Sequence, residues 1–321
     1  MSEPLNQGLV WDVLRVTEVA AIEAAKLRGR GDEMAADKAA VDAMRSELNG
    51  LDIDGRVVIG EGERDEAPML FIGEEIGTKN GPKVDIAVDP LEGTTLCAKS
   101  MPNSLAVLAM AEGGSLLHAP DIYMEKIAIG PGFEPNLVSL EQSPTENLKA
   151  LADAKKVSVN DLTVCILDRS RHSKLIEEVR EAGAAVKLIG DGDIAGVIQT
   201  TDPNETGIDM YMGVGGAPEG VLAASALRSI GGQMQGRLAP LHESHYERAA
   251  KVGIEDLSKI YSIDDMVKGD VIFAATGVTT GQMLDGVRRD GDMIETETLI
   301  MHVGSSSVRW VKNQRQVNGE A

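Results

Sequence analysis

Two acid-rich turns hold the residues with which this chain could do chemistry. The run VDIAV (84–88) ends in Asp89-Pro90-Leu91-Glu92-Gly93-Thr94, and RVVIG (56–60) ends in EGERDE (61–66), which brings Glu61, Glu63 and Asp65. Pro90 has no amide to donate and is expected to end its ladder, while Gly93 permits a tight turn. Acids placed this way either fan into solvent or converge. If they converge, they repel by roughly several kcal/mol in a half-buried site, and only cations relieve that. The set contains no Cys or His, so its donors are all oxygen and suit hard ions, Mg²⁺ or Mn²⁺, rather than zinc. Thr94 would then hold a metal-bound water whose proton passes to an acid such as Asp65 or Glu61. The alternative is a hydroxyl that closes the turn or caps a helix.

Other residues join this set. Asp37 falls on the same helical stripe as Val41, Met44 and Leu48, so it is either paired inside or solvated in a frayed first turn. Glu219 follows Pro218 in GGAPEGV (215–221), where it either compensates a helix N-terminus or serves as a further metal ligand. Arg169 and Arg171 follow the apolar run LTVCIL (162–167) in DRSRHS and either clamp a phosphate or lie solvated. Asp191, Gly192 and Asp193 in GDGD (190–193) suit sugar hydroxyls. GVGGAPEG offers a glycine-rich turn before a helix, ready for phosphate, although no GxxxxGK[ST] loop occurs. Tyr123 in PDIYMEK is either a core residue or a hydroxyl that reaches a ligand.

These residues need elements to position them. The patterning predicts helices over about 8–27 and 33–48, separated by GRGD. Strands are expected at 56–60, 84–88, 104–111 and 126–130, then at 162–167, 185–190 and 208–214 with helices between them, and later at 270–276 and 298–304. The fold class is α/β, with a mixed sheet in the N-terminal half. Strand–helix alternation predicts a doubly wound, largely parallel sheet in the C-terminal half, with ligands beyond the carboxyl ends of its strands. The expected lobes are 1–160, carrying the acids, and 161–321, carrying the sugar-phosphate contacts, closely packed as one functional unit.

The totals set limits. The 321 residues, 43% hydrophobic, suffice for a sizeable core. With 31 basic against 51 acidic residues the net charge is −20, which argues against nucleic acid and anionic membranes as partners. Small phosphorylated substrates stay possible, because a local pocket or a metal reverses the field. Cys97 and Cys165 lie in or beside apolar runs and read as buried thiols. The first residues lack the pattern of a signal peptide and no apolar run reaches membrane-spanning length, so the cytoplasm is the expected location.

At these residues the sequence resembles the class II fructose-1,6-bisphosphatases. IGEGERDEAPML, VDIAVDPLEGT, APDIYMEK, GDGD, GGAPEGV and FAATGVTTG are similar to that family's blocks, in its order. DPLEGT is also similar to the signature of the wider lithium-sensitive sugar and inositol phosphatases. The resemblance implies a layered αβαβα fold, usually in homodimers or homotetramers, and Mn²⁺ or Mg²⁺ held by Asp37, Glu61, Asp89, Glu92 and Glu219. It assigns Thr94 and Asp65 to water activation. Glu92-Gly93-Thr94, Tyr123, Arg169-Ser170-Arg171, Asp191-Gly192-Asp193 and Gly216 would contact substrate. The implied reaction removes the 1-phosphate of fructose 1,6-bisphosphate, in gluconeogenesis or carbon fixation. The rivals are sedoheptulose 1,7-bisphosphate or an inositol phosphate as substrate, and a non-catalytic sugar-phosphate or metal sensor. Three departures stand out: Glu33 where the family is expected to carry Lys, RSR where relatives are expected to read KPR, and a shorter stretch between GRLAP and GDVIF.

Overall fold

Apolar residues at helical spacing build the first two elements. Helix α1 (Gln7–Ala25) buries Val13, Val16, Ala20 and Ala24, and α2 (Glu33–Asn49) buries Ala36, Ala40, Met44 and Leu48. Asn6 caps the first by accepting from the Leu9 amide at 3.1 Å, and Asp32 caps the second by accepting from Ala35 at 2.9 Å. Each such cap contributes ~1 kcal/mol. Glu33, the departure from the family pattern, is an exposed residue in the first turn of α2, where the helix dipole favours a carboxylate. The computed structural model describes residues 5–62 and 69–316.

The chain continues through β1 (Asp54–Ile59), β2 (Glu75–Ile76), β3 (Lys83–Glu92), the short helix α3 (Thr94–Ala98) and β4 (Leu105–Glu112). A second set of elements follows. It comprises β5 (Tyr123–Ile129), α4 (Pro144–Lys155), β6 (Thr163–Leu167), α5 (Ser173–Glu181), β7 (Ala185–Ile189), α6 (Asp193–Ile198), α7 (Pro203–Thr206), β8 (Met210–Gly216), α8 (Ala217–Ile230), β9 (Gln233–Ala239), α9 (Glu243–Lys251), β10 (Ile260–Ser262) and α10 (Ile263–Met266). The last strands are β11 (Val271–Gly277), β12 (Arg288–Asp290), β13 (Met293–His302) and β14 (Ser307–Gln316). Among the described residues, no helix is long and apolar enough to cross a membrane.

Two compact units result: Met1–Leu116 with Lys268–Ala321, and Leu117–Val267. The division differs from the expected boundary at 160, which falls between α4 and β6 inside the second unit. The last strands belong to the first unit because β11 pairs antiparallel with β4, joining Phe273 to Ala109 and Ala274 to Leu108.

In the first unit, eight strands among the described residues run in the order β12-β13-β11-β4-β3-β1-β2, with β14 on β13. Of these pairings only β1 with β3 is parallel. Helices α1 and α2 pack on this sheet. Val13, Val16 and Met44 share a core with Ile86, Leu108, Ile272 and Ile300. Inside it, Thr276 donates to Thr17 at 2.7 Å and lies 2.8 Å from the Thr298 hydroxyl, so these polar groups are satisfied.

In the second unit, six strands run β10-β9-β5-β8-β6-β7. The largely parallel sheet expected here is not what forms: only β6–β7 and β6–β8 are parallel, and the other pairings are antiparallel. Strand–helix alternation reports crossovers correctly but is blind to a strand inserted from elsewhere. Here β8 and β9, joined by α8, lie on either side of β5, which runs against both. Helices cover both faces. Ile127 and Ile129 meet Leu148, Leu151 and Val179 of α4 and α5. On the opposite face, a Cβ at Gly220 of α8 would lie 2.7 Å from Met124 Sδ and 3.4 Å from Lys126 Cδ, which places α8 hard against that face.

Candidate active site

The parallel pair β1 and β3 sets the geometry of the first unit. Ile59 is in register with Ala87, so the turns bearing Glu61 and Asp89–Thr94 leave the same end of the sheet. Pro90 does not end β3 as expected. The ladder to β4 shifts register between Asp89, opposite Val107, and Glu92, opposite Leu105. This is a bulge, a feature that accommodates proline and re-aims neighbouring side chains. Gly93 then turns at φ 73°, and Thr94 begins α3. A Cβ on Gly93 would lie 2.8 Å from Leu96 Cδ1, so both space and conformation call for glycine. Glycine is therefore the cap of α3, and Thr94, half-buried, follows it as the first helical residue.

Asp37 lies in the second turn of α2, not in a frayed first turn, and is half-buried. Burial raises its pKa. Glu61 is pushed up to about 8, first by burial and then by repulsion from Asp37. The structure thus brings these two acids into each other's field. Glu92 is buried and Asp89 half-buried, and both are engaged in interactions. Asp65 and Glu63 lie outside the described residues. Among the described residues, no three His, Cys, Asp or Glu side chains are already gathered as a metal site.

In the second unit the parallel strands β6, β7 and β8 all point their carboxyl ends one way. Arg169, Ser170 and Arg171 follow β6, Asp191 to Asp193 follow β7, and Gly216 with Glu219 follow β8. Tyr123 starts the antiparallel β5 opposite Gly216 and so reaches the same end. It is not a core residue: its ring is half-buried, 4.9 Å beneath the Arg171 guanidinium and 5.8 Å from the His245 ring. Arg169 donates to the Gly190 carbonyl at 2.5 Å and stands 3.7 Å from Asp191. Arg171 donates from Nε and Nη2 to the Val214 carbonyl at 3.0 and 2.6 Å. Gly192 turns at φ 84° to start α6 with Asp193.

Lys126, to which the sequence reading gave no role, lies at the centre of this end. It is fully buried, pairs with Asp193 and donates to the Gly216 carbonyl at 2.7 Å. Its signal was legible: in YMEKIAI it shares a face with Met124 and Ala128, and a charge there requires partners. Glu219 sits in the first turn of α8. Burial, then Asp193, push it up to about 7 against the pull of Lys126. Among the described residues its buried Oε2 has no hydrogen-bond partner. Gly215 and Gly216 make room for these carboxylates. A Cβ on Gly215 would fall 1.9 Å from Asp193 Oδ2, and one on Gly216 1.8 Å from Glu219 Oε2. His172 also went unassigned, since nothing in DRSRHS separates it from a solvated neighbour; the structure buries it. Cys97 and Cys165 are buried free thiols, as expected, and burial pushes Cys165 up to about 12.

The residues present fit a hard divalent cation. In the first unit the donors are all oxygen, and two of the acids, Asp37 and Glu61, are desolvated and share a field.

A family model described as "Bacterial fructose-1,6-bisphosphatase, glpX-encoded" matches residues 7–315. Among curated proteins, the chain is 44% identical over 320 residues to "D-fructose 1,6-bisphosphatase class 2/sedoheptulose 1,7-bisphosphatase" of Prochlorococcus marinus (strain MIT 9301), covering 95% of this chain and 96% of that relative. It is 45% identical over 342 residues to a protein of the same name from Synechococcus sp. (strain JA-2-3B'a(2-13)), with 98% of each covered.

Proposed function

We infer the activity from the family to which this chain belongs, the glpX-type bacterial fructose-1,6-bisphosphatases: it is a phosphoric monoester hydrolase that converts fructose 1,6-bisphosphate to fructose 6-phosphate and phosphate. The observation that carries the reading is the desolvated pair Asp37 and Glu61, beside the turn that ends in Thr94. A cation would stabilise such a pair in its ionised form, and phosphate esters need one too, because their unaided hydrolysis is among the slowest known. In this reading Asp37, Glu61, Asp89 and Glu92 would hold Mg²⁺ or Mn²⁺, and Glu219 is assigned as a further ligand by the family resemblance; the ion would neutralise phosphoryl oxygens and acidify water.

The chain's own residues do the rest. The Thr94 hydroxyl orients the attacking water, and Asp65 or Glu61 accepts its proton. Backbone at Glu92-Gly93-Thr94 cradles the reacting phosphate. Attack is in line, with no phosphoenzyme. Arg169, Ser170 and Arg171 hold the second phosphate, Asp191-Gly192-Asp193 take sugar hydroxyls, and Tyr123 and Gly216 bound the sugar. The relatives' double name favours sedoheptulose 1,7-bisphosphate as a second substrate. We place the family in the lithium-sensitive sugar phosphatases on the strength of DPLEGT. A helix layer on one sheet and helices on both faces of the other support the layered αβαβα fold. A homodimer or homotetramer is the assembly that the family resemblance implies.

Phosphate release from a panel of sugar mono- and bisphosphates tests the reading. We expect activity with Mg²⁺ or Mn²⁺, none in excess chelator, inhibition by lithium, and preference for the two bisphosphates. Full turnover in chelator would refute it, and so would equal rates on monophosphates.

A further inference from the structure

Strand β8 runs past its parallel neighbour. Among the described residues β6 pairs with it only at Val164–Met210 and Cys165–Tyr211, so the peptide groups of β8 beyond Tyr211 lack a strand on that edge. At Val214 two consecutive side chains stand in for one. The Val214 amide donates to His172 Nε2 at 2.8 Å, and its carbonyl accepts Nε and Nη2 of Arg171 at 3.0 and 2.6 Å. On its far side, His172 Nδ1 lies 2.7 Å from the Leu167 carbonyl. A carbonyl can only accept and an amide can only donate, so the ring is the neutral Nδ1–H tautomer. Gly213 lets it in: a Cβ there would meet the ring at 3.3 Å.

We propose that His172 is the positioning residue of the phosphate grip, holding the Val214 peptide so that its carbonyl fixes the Arg171 guanidinium. The inference rests on the reading of Arg171 as a ligand of the second phosphate. A guanidinium held by two donors on one carbonyl cannot turn about its own plane, and the Tyr123 ring beneath it limits tilt. Nη1 and the remaining Nη2 hydrogen then face away from Val214, set for an anion before it arrives. An arginine placed in advance spends less binding energy on ordering itself. His172 touches no reacting atom. Its loss weakens substrate binding and leaves chemistry alone.

Side-chain geometry supplies the test. Gln at 172 places an acceptor near the position of Nε2 and keeps the bond from Val214. Asn places a donor near Nδ1, keeping the bond to Leu167 and losing the one from Val214. Leu keeps bulk and makes neither bond. We expect His172→Asn and His172→Leu to raise KM for the bisphosphate roughly tenfold, the effect of one lost hydrogen bond. Their kcat, and their kcat/KM for fructose 1-phosphate, should stay within about threefold. His172→Gln should keep KM within about threefold of the parent and, unlike the other two, keep the Val214 amide protected from hydrogen exchange. With Arg171→Ala already in place, His172→Asn should add nothing to KM. Equal KM and exchange in all three variants would show that the ring only fills space and would overturn the proposal. An unchanged KM in Arg171→Ala alone would instead refute the phosphate assignment, and the exchange result would still decide whether His172 holds Val214.

Discussion

Thr94 follows a left-handed glycine and is neutral, so it can be removed without altering the charge of the acid cluster. Thr94→Ala is expected to lower kcat by roughly 10²–10⁴ fold, the range for a positioned proton-transfer group, with metal affinity and KM little changed. Asp89→Ala should instead weaken metal binding. Kinetics at saturating metal, paired with calorimetric metal titration, separate the two; a Thr94→Ala enzyme that loses metal as badly as Asp89→Ala would refute the assignment. Glu61 makes a second prediction. Its folded pKa of about 8 stands above the ordinary 4.5, so between these values the folded state keeps a proton that the unfolded state releases. Stability from this group is complete below pH 4.5 and is lost as pH rises through about 8, at no more than about 1.4 kcal/mol per pH unit. In chelator, the melting temperature should fall across that window, and Glu61→Gln should flatten the fall. An equal slope in both proteins would show that Glu61 titrates normally.

Among the elements, the β8–α8 connection is tightly drawn around neighbouring side chains. Its glycines leave room for two carboxylates, and a methyl group at Gly216 would fall 1.8 Å from Glu219 Oε2. Gly216→Ala is expected to displace Glu219 and cut kcat/KM by about 10²-fold, the size of a 1 Å misplacement. The control is helix α4, whose N-terminus is a capping box between Ser143 and Glu146. Ser143→Ala should cost ~1 kcal/mol of stability and leave turnover unchanged. Urea denaturation and steady-state kinetics on both variants check the pair. A Gly216→Ala enzyme with normal turnover would show that Glu219 can relax elsewhere.

At the level of the whole molecule, the two units differ in how the chain makes them. Leu117–Val267 is continuous and has its own core, whereas the first unit needs both ends of the chain, because β11 sits between β4 and β13. We expect a fragment of residues 117–267 to unfold cooperatively in urea. A fragment of residues 1–116 should stay unfolded until the peptide 268–321 is added, since without it β4 presents an open, apolar edge. A cooperative melt from residues 1–116 alone would contradict this.

The sequence by itself determined most of the elements and the strand ends at which the candidate residues sit. Period and capping residues are local, so α1, α2, β1, β3 and β6 were legible in it. So was the placing of acids and arginines at strand ends, because such ends are marked by Gly, Pro and charge. Two acidic turns after apolar runs also raised the expectation of a cation site, since repulsion between like charges is a local fact. The tertiary structure decided what local chemistry does not encode. It set β5 between β8 and β9, brought β11 to β13 beside β4, and turned the break at Pro90 into a bulge. Lys126 and His172 gained their roles the same way. A buried charge and a ring between two peptide groups are defined by partners tens of residues away in the chain, namely Asp193, Gly216 and Val214. Pairing across such distances depends on which strands become neighbours, and every candidate strand offers the same backbone donors and acceptors.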